Sequence, residues 1–113
     1  MFKKKVRWYQ IFENEESLQE GFLNKNSKLY KGLFGEAILI RSNGSYYAYK
    51  NKCPHQNKSL EGCKVEDDAI VCPFHSYKFS LNDGRGHGLC LDKYQFKVTS
   101  EGVFLGKEGW SLF

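Results

Sequence analysis

Two short segments constrain this chain more than anything else in it: Cys53-Pro54-His55 and, after sixteen intervening residues, Cys72-Pro73-Phe74-His75. The chain has only two prolines, and each directly follows one of these cysteines. Proline fixes φ and carries no N–H, so each segment is expected in a stiff loop, at a hairpin tip, rather than inside a strand. Two such loops can converge on one metal centre. Two sulfur and two imidazole donors suit a tetrahedral zinc ion, and they also fill the four open positions on a pair of sulfide-bridged irons.

The second possibility has distinctive chemistry. Two ferric ions, two sulfides and two thiolates sum to zero charge when the remaining ligands are neutral imidazoles. Four thiolates would leave the cluster at minus two. Mixed ligation therefore raises the reduction potential and makes the irons unequal, the added electron settling on the histidine-bound iron. Each imidazole keeps a ring N–H whose acidity changes with the charge on its iron, which couples electron uptake to proton uptake at high pH.

Around these segments the chain reads as short strands joined by turns. Val6 to Phe12 is a first strand, and Asn14 to Phe22 a short helical turn or loop, with Ser17-x-x-Glu20 as a weak capping box. Glu36 to Arg41 and Ser45 to Lys50 flank Asn43-Gly44, which supplies both positive φ values of a type I′ hairpin turn. Lys64 to Glu66 and Ala69 to Cys72 surround Asp67-Asp68. Ser76 to Leu81 is expected to pair with the chain after the Asn82-Asp83-Gly84 turn, where Gly84, Gly86 and Gly88 read as loop. Tyr94 to Thr99 and Val103 to Gly106 flank Glu101-Gly102 as a last hairpin. The tail from Glu108, with Trp110 and Phe113, is expected to pack back on the body. The tyrosines of Tyr46-Tyr47-Ala48-Tyr49 fit a half-buried strand edge better than a base-stacking platform.

At 113 residues the chain is expected to be one domain with a modest core, to which a bound metal would add stability. Aromatics at 16% favour strands over helices. The net charge of +4 is spread along the chain, which argues against a nucleic-acid partner; Lys3-Lys4-Lys5 reads as a solvated tail. No apolar run approaches the roughly 18 residues of a membrane span, and no secretory signal is visible, so a cytoplasmic protein is expected. Cysteines in a reducing compartment are metal ligands or free thiols. Cys63 and Cys90 are expected to be free and partly buried, and His87 exposed and without function.

Cys53-Pro54-His55-Gln56 and Cys72-Pro73-Phe74-His75, followed by Tyr77-x-Phe79 and Asp83-Gly84-Arg85, resemble the two boxes of the Rieske family, and their separation matches as well. The resemblance implies a small all-β antiparallel sandwich or partly open barrel, residues 1–113, with a two-loop cluster-binding subdomain at about 51–86. It implies one [2Fe–2S] cluster, with Cys53 and Cys72 on one iron and His55 and His75 on the other. The extra cysteine pair of bc-type members is missing, since Lys58 and Phe74 stand at those positions. The hydroxyls those members direct toward the cluster are replaced by Tyr77 and Phe79. Fewer hydrogen bonds to sulfur imply a potential in the lower part of the Rieske range of about −150 to +300 mV. Ser76 stands where the second box often has Gly, and Gln56 and Ser76 are expected to shape the loops.

The implied function is that of a stand-alone ferredoxin, an electron carrier rather than an enzyme, between a flavin-dependent reductase and a terminal oxygenase. Two alternatives are a small non-catalytic subunit of a larger oxidoreductase and a zinc-stabilised interaction module.

Overall fold

The computed structural model describes residues 2–32, 35–52, 59–66, 68–72, 77–86 and 88–112, with side chains from 5 to 107 among these. The chain runs β1 (Phe2–Phe12), α1 (Glu15–Phe22), β2 (Ser27–Gly32), β3 (Gly35–Ser42), β4 (Ser45–Lys50), β5 (Lys64–Glu66), β6 (Ala69–Val71), β7 (Lys78–Ser80), β8 (Arg85–Gly86), β9 (Leu89–Cys90), β10 (Lys93–Thr99) and β11 (Gly102–Leu112). Six strands form one curled antiparallel sheet in the order β1-β11-β10-β4-β3-β2. A small sheet, β5-β6-β7, and the β8-β9 ribbon make up the rest. The all-β expectation is met.

The β3–β4 hairpin forms where Asn43-Gly44 places it. Both residues have positive φ, 51° and 78°, and Ser42 pairs with Ser45 across the turn. Strand alternation then gives this pair two buried faces. Ile38, Ile40 and Tyr49 join Leu60, Cys63, Ile70, Cys72, Phe79, Leu81 and Leu91 in one core. Ala37, Leu39 and Ala48 join Ile11, Leu18, Phe22, Tyr94, Val103 and Leu105 in the other. The β3–β4 pair is thus a wall between a core under the small sheet and a core under the helix.

The helix covers the second core with Leu18 and Phe22. Its N-cap is Asn14, whose side chain accepts the Ser17 N–H at 2.8 Å, so Ser17 lies inside the first turn and the expected Ser17–Glu20 box does not form. Glu15 and Glu16 complement the positive end of the helix. At the other end, Arg41 Nη2 donates to the Leu23 and Lys25 carbonyls at 3.2 and 2.9 Å while its guanidinium lies over the Phe22 ring.

Several expectations are corrected. Lys3-Lys4-Lys5 is no tail but part of β1, paired with the end of β11 from Phe2 with Leu112 to Lys5 with Gly109. Met1 and Phe113 lie outside the described residues, as do the side chains of residues 2–4 and 108–112. Ser27–Gly32 is a strand that the sequence pattern did not announce. β7 pairs with β6, and the chain after the Asn82-Asp83-Gly84 turn pairs within itself as β8-β9. β4 is an interior strand, with Tyr49 fully buried, rather than a half-buried edge. Cys63 is buried, but Cys90 is exposed. His87 lies outside the described residues.

Candidate metal centre

Of the four expected donors, Cys72 is the one among the described residues; Cys53, His55 and His75 lie outside them, as do Gln56, Lys58, Phe74 and Ser76. Cys72 directly follows β6 and is 2% exposed, set in the core with Ile70 and Phe79. Its backbone N–H donates to the Tyr77 carbonyl at 2.8 Å, closing the neck of the second donor segment. Because β6 and β7 pair, this segment is a hairpin connection, as expected.

The first segment is not. It links β4 of the large sheet to β5 of the small one, strands that do not pair with each other. Its neck is built differently: Asn51 Oδ1 accepts the Leu60 N–H at 2.6 Å. Leu60 is itself fully buried in the same core as Cys72. The residue that closes the first segment and the residue that opens the second therefore stand on one apolar base.

That base is closely tied to the scaffold. The buried Tyr49 hydroxyl donates to the Leu81 carbonyl, joining the strand before the first segment to the chain after the second. Burial pushes the Tyr49 phenol well above its ordinary range, with the neighbouring Tyr47, Asp83 and Cys90 acting in the same direction. Burial likewise pushes the Cys63 thiol up from 9.0 to about 11. Phe79 is fully buried and brings no hydroxyl, and Tyr77 is half-buried against the same core. Sequence reasoning missed Asn51 and Tyr49 as supporting residues; their spacing, two and four residues before Cys53, was the available signal.

The donor chemistry fits an iron–sulfur group. A buried sulfur on an apolar base, followed in sequence by proline, suits a thiolate-bound cluster, and the two sulfurs and two imidazoles expected from the sequence would complete its ligand set. Among the described residues, no group of three or more His, Cys, Asp or Glu side chains forms a competing metal site.

The comparisons agree with this chemistry. A family profile described as "Rieske [2Fe-2S] domain" matches residues 7–93. The ferredoxin component of the alkene monooxygenase system of Xanthobacter autotrophicus is 36% identical over 77 residues, 65% of this chain and 63% of that protein. The chain thus spans less than two thirds of the length of that relative. Among solved structures, a putative NADH-dependent nitrite reductase small subunit from Mycobacterium tuberculosis superposes with a TM-score of 0.73 at 18% identity, over 91% of this chain and 96% of that one. A chain from the complex of reduced oxygenase and oxidized ferredoxin in carbazole 1,9a-dioxygenase gives 0.70 at 18% identity, over 87% and 91%. At such identities the two structures bear on the fold. The profile, by contrast, runs from β1 to the start of β10 and takes in scaffold and both donor segments alike, so the chain belongs to the Rieske family and its cofactor is one [2Fe–2S] cluster.

Proposed function

We propose that Cys53 and Cys72 hold one iron of the cluster and His55 and His75 the other, and that the protein works as a ferredoxin, a carrier of single electrons without an active site of its own. The observation that carries this is the common base: Leu60 and Cys72, at the edges of the two donor segments, share one buried core. When bound, the cluster supplies a one-electron couple. The chain's own residues do the rest. Cys72 anchors the second segment to β6, while Ile70, Phe79 and Leu81 exclude water from beneath it. The donor side belongs to a flavin-dependent reductase and the acceptor side to a terminal oxygenase, a reading supported by the ferredoxin component named among the relatives. Among the described residues no helix is long and apolar enough to cross a membrane, in keeping with a cytoplasmic carrier. Residues 1–113 act as one domain with the cluster-binding subdomain at about 51–86, since β3 and β4 contribute to both cores.

A second reading, a small non-catalytic subunit of a larger oxidoreductase, draws on the likeness in fold to the nitrite reductase small subunit. Retention of all four donor residue types favours the carrier. Electron paramagnetic resonance of the dithionite-reduced protein, with potentiometry, tests the proposal. A mean g value below that of all-cysteine clusters is expected, with a potential in the lower part of about −150 to +300 mV. Replacing any one of the four donors by alanine should abolish the signal. A colourless, zinc-containing protein would overturn the assignment.

A further inference from the structure

The chain leaves β4 at Lys50 and re-enters the described structure at Ser59; Cys53 and His55 lie between. One side chain joins the two ends. The Asn51 carbonyl oxygen accepts the Leu60 N–H at 2.6 Å, and the Ser59 hydroxyl stands within reach of both amide atoms, 3.2 Å from Oδ1 and 2.9 Å from Nδ2. Asn51 is also referred to the sheet: its Nδ2 donates to Glu36 Oε1 at 3.0 Å, and its backbone N–H to the Glu36 carbonyl at 3.0 Å. The Ser59 hydroxyl in turn accepts the Glu61 N–H at 3.1 Å. The second donor segment has a backbone clasp instead, from the Cys72 N–H to the Tyr77 carbonyl.

We propose that Asn51 is a positioning residue for the cluster, the clasp that holds the neck of the first donor segment closed and referenced to β3. The inference rests on the ligand assignment above. Its physical ground is that a segment with both ends fixed samples fewer conformations, which lowers the entropic cost of presenting its two ligands to the cluster. The two clasps differ in one useful respect. The second is main chain and no side-chain truncation removes it, whereas the first depends on a single side-chain amide.

The test compares wild type, Asn51→Ala, the pair Asn51→Asp with Glu36→Gln, and Asn43→Gly. The pair keeps the acceptor for Leu60 and reverses the polarity of the bond to position 36. Asn43→Gly cuts a comparable exposed bond, Asn43 Nδ2 to Asp68 Oδ1 at 3.0 Å, at a turn where glycine suits the backbone. Each protein is loaded anaerobically with iron and sulfide, then challenged with excess iron chelator while its visible absorption is followed. Unfolding of each apo-protein is measured alongside. Asn51→Ala should lose its cluster about ten-fold faster than wild type, with a broadened paramagnetic signal, while the pair and Asn43→Gly stay within about two-fold.

Equal rates for Asn51→Ala and wild type would overturn the clasp alone. So would a faster loss in Asn51→Ala matched by Asn43→Gly and by equal falls in apo-protein melting temperature. If Asn51→Ala takes up no cluster, recovery in the pair supports the clasp and no recovery overturns it. If wild type itself takes up no cluster, the ligand assignment falls and the clasp with it.

Discussion

Tyr49 concentrates several demands in one side chain. It fills the core that holds Leu60 and Cys72, and its buried hydroxyl satisfies the Leu81 carbonyl. Removing that hydroxyl leaves a buried acceptor without its partner, which costs about 1–3 kcal/mol. Tyr49→Phe should therefore destabilise the apo-protein by about that amount in urea unfolding while keeping its spectrum and sheet content. An unchanged midpoint would mean that the hydroxyl is idle. The strand that carries Tyr49 was legible in the sequence, but its depth was not. Three tyrosines in four residues read as amphipathic, and only the placement of β4 between β10 and β3 explains why this one is fully buried. The donor residues were the opposite case. Cysteine, proline and histidine at fixed spacing need no tertiary information to be noticed, because their chemistry is local.

Among the elements, close approach of backbones matters as much as side-chain packing. β8 lies against β7 so tightly that a Cβ on Gly86 would fall inside the Lys78 carbonyl oxygen, with Phe79 Cα 3.3 Å away. Neither obstacle is a flexible side-chain end, so the ribbon would have to move as a unit. Gly86→Ala should cost at least about 3 kcal/mol and weaken the base under Cys72. Loss of the cooperative unfolding transition or a large fall in midpoint is the expected result, and a midpoint like that of wild type would contradict the packing. In the sequence, Gly84, Gly86 and Gly88 signalled a loop; the physical reason for Gly86 is proximity rather than flexibility. β2 was hidden for a different reason. Its residues are only half-buried or exposed, and its extended state comes from pairing with β3, Ser27 with Ile40 through Gly32 with Gly35. Hairpins with an Asn-Gly or Glu-Gly turn were legible because the turn is local. The β4-to-β5 crossing was not, since nothing local distinguishes a crossing from a hairpin.

For the molecule as a whole, buried acids set the response to alkali. Burial raises the pKa of Tyr49, Tyr94 and Cys63, in each case the leading cause. All three are neutral when protonated, so the folded state holds these protons more tightly than the unfolded chain. Stability from this source is complete below the unfolded values and falls as pH rises past them. For Cys63 the window opens at 9.0 and closes at about 11; the tyrosines begin to contribute at 10.0. Melting temperatures of the apo-protein should therefore drop steadily between about pH 9 and about pH 11, and Tyr49→Phe should flatten the upper part of that fall. A flat profile would show that these groups ionise without unfolding anything.

The antiparallel match of Phe2 with Leu112 sets the first and last described strand positions side by side, about 5 Å apart. A short peptide splice between them would turn the chain into a ring without disturbing any strand pair. Opening that ring at the exposed Asn43-Gly44 turn would give a circular permutant with new ends, in which both cysteine–histidine segments remain uninterrupted. Assembly of the iron site would then be independent of where translation starts.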